Sequence, residues 1–227
     1  GSLGRDEATG RGGVIVLNEL LKKLGKSGPI TYAIQGFGNV GSFFATVAAQ
    51  DHHRWSIVAA TDSSGGVYES EGLTAKEVAK YKEDGGKLVD YHKGQLISNN
   101  DFIGLKVDVL VLAALGDAIN DKNVGKVKAG IVLELANGPV SEKAYKNLSS
   151  KGVLVVPDIL ANAGGVIVSY LEWLQNRRGE HWNLSRVNNQ LEEYLVEATD
   201  EIFKRSRRDN LTLKEAALAV AIERLTK

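Results

Sequence analysis

Gly36, Gly38 and Gly41 stand in the spacing G-x-G-x-x-G, directly after the β-prone run Ile30-Thr31-Tyr32-Ala33-Ile34-Gln35. The chemistry this spacing serves is capture of a bridged phosphate by backbone alone. Gly36 allows the sharp turn off a strand, Gly38 leaves room for a pyrophosphate to approach, and Gly41 lets the next helix pack closely. Phe37, Asn39 and Val40 fill the intervening positions, and Ser42-Phe43-Phe44-Ala45-Thr46-Val47-Ala48-Ala49 continues as a helix. The first turn of a helix offers unpaired N–H groups and a partial positive charge to an anion.

A second feature fits the first. Ser56-Ile57-Val58-Ala59-Ala60-Thr61-Asp62 reads as the next strand and ends in an acidic residue. Asp62 follows the glycines by about 20 residues, where a carboxylate accepts hydrogen bonds from an adenosine ribose. Together these features point to a dinucleotide. The Asp62 charge disfavours the extra phosphate of NADP, while Ser63 and Ser64 offer donors that accommodate it. The balance favours NAD, with NADP use left open.

The elements that must position these groups alternate. Residues 5–24 read as a helix, with Leu17, Leu20, Leu21 and Leu24 at helical spacing and Gly25, Gly28 and Pro29 stopping it. The glycines at 4, 10, 12 and 13 are costly within a helix and imply a backbone that comes close to something. Ser63 to Tyr68 reads as a loop or short hairpin, and Thr74-x-x-Glu77 as a capping box opening a helix to about Lys82. Val107 to Leu112 is an apolar run suited to a strand buried on both faces, followed by Ala113 and Ala114. Gly130 to Leu135 and Val153 to Val156 read as further strands, and Ser141 as a helix N-cap.

The chain after Pro157 reads as all helical: one helix through Val168, Leu171 and Leu174 to about Arg178, a second carrying Leu191, Leu195, Ala198 and Ile202, and a third capped by Thr212-x-x-Glu215. The expected fold is α/β, a Rossmann-type doubly wound, mostly parallel sheet with a helical C-terminal extension. It is read as a single dinucleotide-binding domain over 1–227, with a core at 1–177 and the extension at 178–227. Ligands of such sheets bind beyond the carboxyl ends of the strands, where Gly36, Asp62, Ala113, Asn137 and Asp158 fall.

Composition narrows the partners. The 227 residues carry zero formal net charge and 43% hydrophobic content, which suits a substantial core and gives no reason to expect nucleic acid. No apolar run approaches the roughly 20 residues of a membrane span, and no signal peptide is visible. Cysteine is absent, which excludes disulfides and fits a reducing cytoplasm. His52, His53, His92 and His181 lack metal-ligand spacing, so no metal is expected. The run Lys204-Arg205-x-Arg207-Arg208 reads as a solvated helix end. Methionine is absent too, so the chain is expected to start inside a longer reading frame or to have been processed.

Four stretches together carry a resemblance. Gly4-Arg5-Asp6-Glu7-Ala8-Thr9-Gly10-Arg11-Gly12, Gln35 to Gly41, Ala136-Asn137-Gly138-Pro139, and Val156 to Val166 continuing into Ser169-Tyr170-Leu171-Glu172-Trp173 resemble the glutamate dehydrogenases of the glutamate/leucine/phenylalanine/valine dehydrogenase superfamily. The resemblance covers the nucleotide-binding half of a family member. It implies reversible oxidative deamination of L-glutamate to 2-oxoglutarate and ammonia, with hydride transfer to NAD or NADP. It also implies a homo-oligomer, hexameric in the family. The acid–base lysine and aspartate of the family lie on an N-terminal lobe, so no catalytic residue is expected in this chain. Gly85-Gly86-Lys87 echoes the lysine motif but reads as a helix C-cap with a solvated lysine.

The resemblance implies further roles. Thr9, with Arg5 nearby, would hold the nicotinamide carboxamide. Asn39 would turn its backbone N–H to the pyrophosphate, or only start the helix. Asn137 and Asn162 would reach the nicotinamide ribose, or serve as turn and cap residues. Gly164 and Gly165 would admit nicotinamide and substrate, and Val166 and Ser169 would face the substrate side chain. A Ser169 hydroxyl donating to a side-chain carboxylate favours glutamate over leucine or valine; bonding to a carbonyl one turn back is its alternative. Cofactor domains of branched-chain or aromatic amino-acid dehydrogenases, and a non-catalytic dinucleotide sensor, are the competing readings. The chain alone is expected to bind cofactor without turnover.

Overall fold

The computed structural model describes residues 2–114 and 116–226. Seven strands form one sheet in the order β4-β3-β2-β1-β5-β6-β7. They are β1 (Ile30–Gln35), β2 (Trp55–Asp62), β3 (Gly65–Tyr68), β4 (Gln95–Ile97), β5 (Val109–Leu112), β6 (Ile131–Glu134) and β7 (Leu154–Val156). Strands β2, β1, β5, β6 and β7 run parallel. Strand β3 is antiparallel to β2, because the short step from Asp62 to Gly65 leaves room only for a hairpin, and β4 is antiparallel to β3 in turn. The chain moves to one side of β1 through β2 and to the other through β5, so the switch point, where sheets of this kind bind ligands, lies between β1 and β5.

The helices are α1 (Ala8–Lys23), α2 (Asn39–Asp51), α3 (Ala75–Glu83), the single-turn α4 (Asn99–Phe102), α5 (Glu142–Ser150), the single-turn α6 (Asp158–Ala161), α7 (Gly164–Arg178), α8 (Leu184–Asp209) and α9 (Leu213–Leu225). The parallel strands bury both faces, as their continuous apolar runs require. Val109 and Val111 of β5 pack with Tyr32 and Ile34 and the helices α1, α2, α7, α8 and α9; Leu110 and Leu112 pack with Ala33, Val132 and Val155 and residues of α4 and α5. The Tyr32 ring meets Phe44 of α2 edge to face at 5.6 Å. The extension is not a separate body: α8 lies on α1, and α9 on α8.

Two local expectations need correction. The first helix begins at Ala8, not residue 5, with Glu7 as its N-cap. Thr74 does precede α3, but its side chain makes no capping bond, so the box is not formed. The Glu77 carboxylate pairs instead with Lys93, at 2.7 Å, across to the segment before β4. By contrast, Thr212 and Glu215 form the full reciprocal box at α9, and Ser141 caps α5 through Ala144 N.

The glycines of α1 owe their place to helix crossing. A Cβ on Gly10 would stand 2.6 Å from Phe44 N in α2, and one on Gly12 3.0 Å from Gly164 Cα in α7. The first contact is closer than real Cβ atoms come and the second is tighter than nearly all of them, so glycine at both positions lets α1 lie in the groove between α2 and α7. That crossing brings the N-terminal segment to the carboxyl ends of β1 and β6.

Candidate functional site

Every feature of interest lies along the carboxyl edge of the parallel strands. Gly36 leaves β1 with φ +88°, and its N–H bonds to Thr61 O at 2.8 Å. A Cβ there would meet Ala114 N at 2.6 Å and the Ala113 carbonyl carbon at 2.8 Å, so the turn is pressed against the end of β5. Gly41 is similarly constrained, its virtual Cβ being 2.3 Å from Gly36 O. Gly38 differs: nothing lies within 4 Å of its missing Cβ. It is the N-cap of α2 and offers no side-chain cap. The helix therefore opens onto free space with its N-terminal N–H groups uncapped by any side chain, which fits an anion approaching past Gly38.

A cleft of about 550 Å³ extends from this turn, lined by Phe37, Gly38, Asn39, Ser42, Phe43, Thr46, Ala79, Lys82 and Glu83. Val40 is half-buried behind it. Asn39 is exposed, and its amide donates to Asp6 O at 3.3 Å, tying the start of α2 to the segment before α1.

Asp62 is held more tightly than its sequence position implies. Oδ1 accepts from Ser64 N at 2.8 Å and from Ser64 Oγ at 2.5 Å. Oδ2 accepts from Lys82 Nζ at 2.5 Å and from Leu88 N at 3.1 Å. Partial burial alone would raise its pKa, but the Lys82, Ser64 and Leu88 donors outweigh this and hold the carboxyl at about 2. A carboxylate has about four acceptor sites, so all four are taken within the fold. A ribose hydroxyl would have to displace a donor, and the Ser64 hydroxyl, free to rotate, is the one most easily moved. Ser63 stands exposed beside it.

The second half of the edge is built from β6, β7 and α7. Asn162 Nδ2 donates to Asn137 Oδ1 at 2.7 Å, so these residues, 25 apart in sequence, form one amide pair. Neither side chain caps a helix, since Asn137 precedes Pro139 in the loop after β6 and Asn162 ends α6. A Cβ on Gly165 would lie 2.8 Å from Thr9 Oγ1 and 3.7 Å from Arg5 Nη1. Arg5 precedes α1 rather than sharing a helical face with Thr9, yet both converge on the start of α7. Val166 is 68% exposed on the outer face of α7. Ser169 Oγ donates to Gly165 O at 3.0 Å, the back-bonded arrangement one turn earlier.

Lys82 and Glu134 gain importance only from the structure, and Asp158, already placed at a strand end by the sequence, gains its partners there. Lys82 sits in α3 among several lysines, and no local pattern marks it. Asp158, at the end of β7, accepts from Gly138 N at 2.8 Å. Glu134, at the end of β6, is 1% exposed, and its Oε2 accepts from Asp158 N at 3.0 Å. A single carboxylate in the apolar run Ile131-Val132-Leu133-Glu134-Leu135 is the signal that could have found it. Among the described residues there is no group of three or more His, Cys, Asp or Glu suited to a metal, and no helix long and apolar enough to cross a membrane.

Comparison with known proteins finds relatives that match the chain along its whole length. The family model for glutamate/leucine/phenylalanine/valine dehydrogenase matches residues 1–227. A glutamate dehydrogenase of Thermotoga maritima is 44% identical over 226 residues, which are 99% of this chain and 54% of that protein. A solved hetero-hexameric glutamate dehydrogenase of Thermus thermophilus superposes with TM-score 0.90 at 35% identity, covering 99% of this chain and 53% of that one. The glutamate dehydrogenase of Peptoniphilus asaccharolyticus superposes with TM-score 0.82 at 34% identity, covering 100% and 53%. The chain thus spans about half the length of these relatives, and it belongs to the glutamate/leucine/phenylalanine/valine dehydrogenase family.

Proposed function

We propose that this chain is the cofactor-binding half of an NAD(P)-dependent glutamate dehydrogenase. The observation that carries the reading is the convergence at Gly165. Thr9 and Arg5 from the start of the chain meet the first turn of α7 there, on the same strand edge as the Asn137–Asn162 pair and the Gly36–Gly41 turn. A phosphate cradle at one end and an amide-and-hydroxyl cluster at the other suit a dinucleotide lying across the switch point.

Each residue then has a task. The N–H groups opening α2, with Gly36, Phe37, Gly38, Asn39, Val40 and Gly41 shaping the turn, bind the pyrophosphate. Asp62 and Ser63 approach the adenosine ribose, Ala113 and Ala114 floor the crevice, and Asn137 and Asn162 hold the second ribose. Thr9 and Arg5 fix the carboxamide and so choose which ring face meets the substrate. Val166 and Ser169 border the substrate. The chemistry a nicotinamide supplies when bound is acceptance of hydride at C4. We place the acid–base residues outside this chain, which is expected to bind cofactor without turning over glutamate. The Asp62 carboxylate disfavours a 2′-phosphate, so NAD is the favoured cofactor, and Lys82 beside it offsets part of that charge, so NADP is also accepted. The Thermus thermophilus relative is described as hetero-hexameric, and we extend an oligomeric state, as a homo-oligomer, to the full-length form of this protein.

A branched-chain substrate is the second reading. The Ser169 hydroxyl already has an acceptor in Gly165 O, so an apolar side chain beside it would leave no buried donor unpaired. Two measurements test the proposal. Titration of the chain with NADH, followed by quenching of its tryptophan emission, is expected to saturate; no binding would overturn the cofactor reading. Assay of the full-length form on glutamate, leucine and phenylalanine with NAD and NADP decides the substrate, and robust glutamate oxidation by this chain alone would overturn the placement of the acid–base groups.

A further inference from the structure

The loop after β6 and the turn before α7 are joined at three levels. At the base, Glu134 Oε2 accepts the Asp158 N–H at 3.0 Å, and the same carboxylate accepts the Val140 N–H. In the middle, Asp158 Oδ2 accepts the Gly138 N–H at 2.8 Å. At the tip, Asn162 Nδ2 donates to Asn137 Oδ1 at 2.7 Å. Nothing in the binding scheme uses Glu134, although burying a carboxylate at the end of an apolar strand is costly and an apolar residue could occupy the volume without that cost. The residue is explained if the two backbone segments must be held in register.

We propose that Glu134 is a positioning residue whose carboxylate, by joining Asp158 to Val140, sets the spacing of the Asn137–Asn162 pair and hence the grip on the nicotinamide half of the cofactor. This rests on the cofactor reading above. The groups that face Glu134 are Asp158 from α6, Lys214 from α9 and Tyr145 from α5, with Glu215 beyond Tyr145. Burial is the largest influence on its carboxyl and, aided by the Asp158 charge, raises the pKa to about 7 against the opposing N–H donors and Lys214. Protonation converts one carboxylate oxygen into a donor that faces N–H groups, so one of the two backbone links weakens. The grip on the nicotinamide half is then lost as pH falls through neutrality, while the adenosine half, held at β1 and β2, is untouched.

The test measures the Kd of NADH and of ADP capped as its terminal methyl ester, which has no group titrating near neutrality, from pH 6 to 9. The ratio of the two constants is expected to shift by about fivefold to tenfold against NADH on acidification, the scale of one weakened charge-assisted hydrogen bond. Glu134→Gln is expected to bind NADH at the weaker level throughout, with a flat ratio. Asp158→Asn removes a negative neighbour and is expected to move the midpoint to lower pH, which keeps the test decisive if the first variant does not fold. A flat ratio in the unsubstituted chain, a slope that persists in Glu134→Gln, or an unmoved midpoint in Asp158→Asn would overturn the proposal. Failure of capped ADP to bind would instead overturn the cofactor reading, so the two failures are distinct.

Discussion

Lys82 Nζ lies 2.5 Å from Asp62 Oδ2, joining the last turn of α3 to the carboxyl end of β2. The two side chains are 24% and 13% exposed, so the pair is largely shielded and its charge effects are less screened than those of a surface pair. The ribose end of the proposed cofactor site therefore meets a neutralised carboxylate rather than a free one.

Cofactor preference should follow this pair. Lys82→Ala leaves the Asp62 charge uncompensated, and a 2′-phosphate would be repelled. The ratio of NADPH to NADH Kd is expected to rise by about tenfold. Asp62→Ser should move it the other way, because the Lys82 cation is then released to meet the phosphate. Fluorescence titration with both reduced cofactors checks this, and an unchanged ratio in both variants would place the 2′ position elsewhere.

Stability should depend on Glu134 in the opposite sense to a salt-bridged acid. Its folded pKa of about 7 lies above the ordinary 4.5. Below pH 4.5 both folded and unfolded chains are protonated at this position and burial carries no charge penalty. Between 4.5 and 7 the unfolded chain ionises first, so stability falls as pH rises, and above 7 the whole penalty is present, about 3 kcal/mol. Glu134→Gln is expected to narrow or reverse any deficit in urea-measured stability between pH 5 and pH 8.5. A stability difference between variant and parent that is constant across this range would contradict the elevated pKa.

Close helix contact makes Gly164 intolerant of a side chain. A Cβ there would stand 2.0 Å from Ala8 O and 2.9 Å from Ala8 C, both backbone atoms that cannot swing away. Gly164→Ala is expected to cost about 3 kcal/mol or more. Gly130→Ala, where the nearest atom is Asp108 O at 3.9 Å, should change stability by less than about 0.5 kcal/mol. Urea unfolding of both variants measures the contrast. A mild Gly164→Ala would mean that α1 and α7 can separate at little cost.

The parts of the fold that local physics determines were legible in the sequence. The apolar runs of β1, β5 and β6 and the glycine turn carry their own periodicity, and the box at Thr212 and Glu215 forms as its spacing requires. The Thr74 and Glu77 box does not form, because Glu77 finds Lys93, 16 residues away, and a short-range pattern cannot register that competitor. The site divides the same way. Gly36, Gly41 and Asp62 announce themselves by spacing, whereas the donors that fill Asp62 come from Ser64, Lys82 and Leu88 in three different segments. The meeting of Thr9 with Gly165 depends on the α1–α7 crossing, a tertiary fact that only the family resemblance could anticipate.

Ser169 offers the sharpest test of substrate choice. Its hydroxyl donates to Gly165 O at 3.0 Å, a back-bond that contributes little to a helix. Ser169→Ala should therefore change unfolding free energy by less than about 1 kcal/mol. If glutamate is the substrate, the hydroxyl turns from Gly165 O to the side-chain carboxylate when substrate binds, and only then does it discriminate. In the full-length form kcat/KM for glutamate is expected to fall by about a hundredfold, with that for leucine unchanged or raised, because losing a hydrogen bond to a charged group costs about 1.5–3 kcal/mol. Equal losses for both substrates would show that Ser169 acts through the backbone at Gly165 and would favour the branched-chain reading. Retention of full glutamate activity would remove Ser169 from the substrate site altogether.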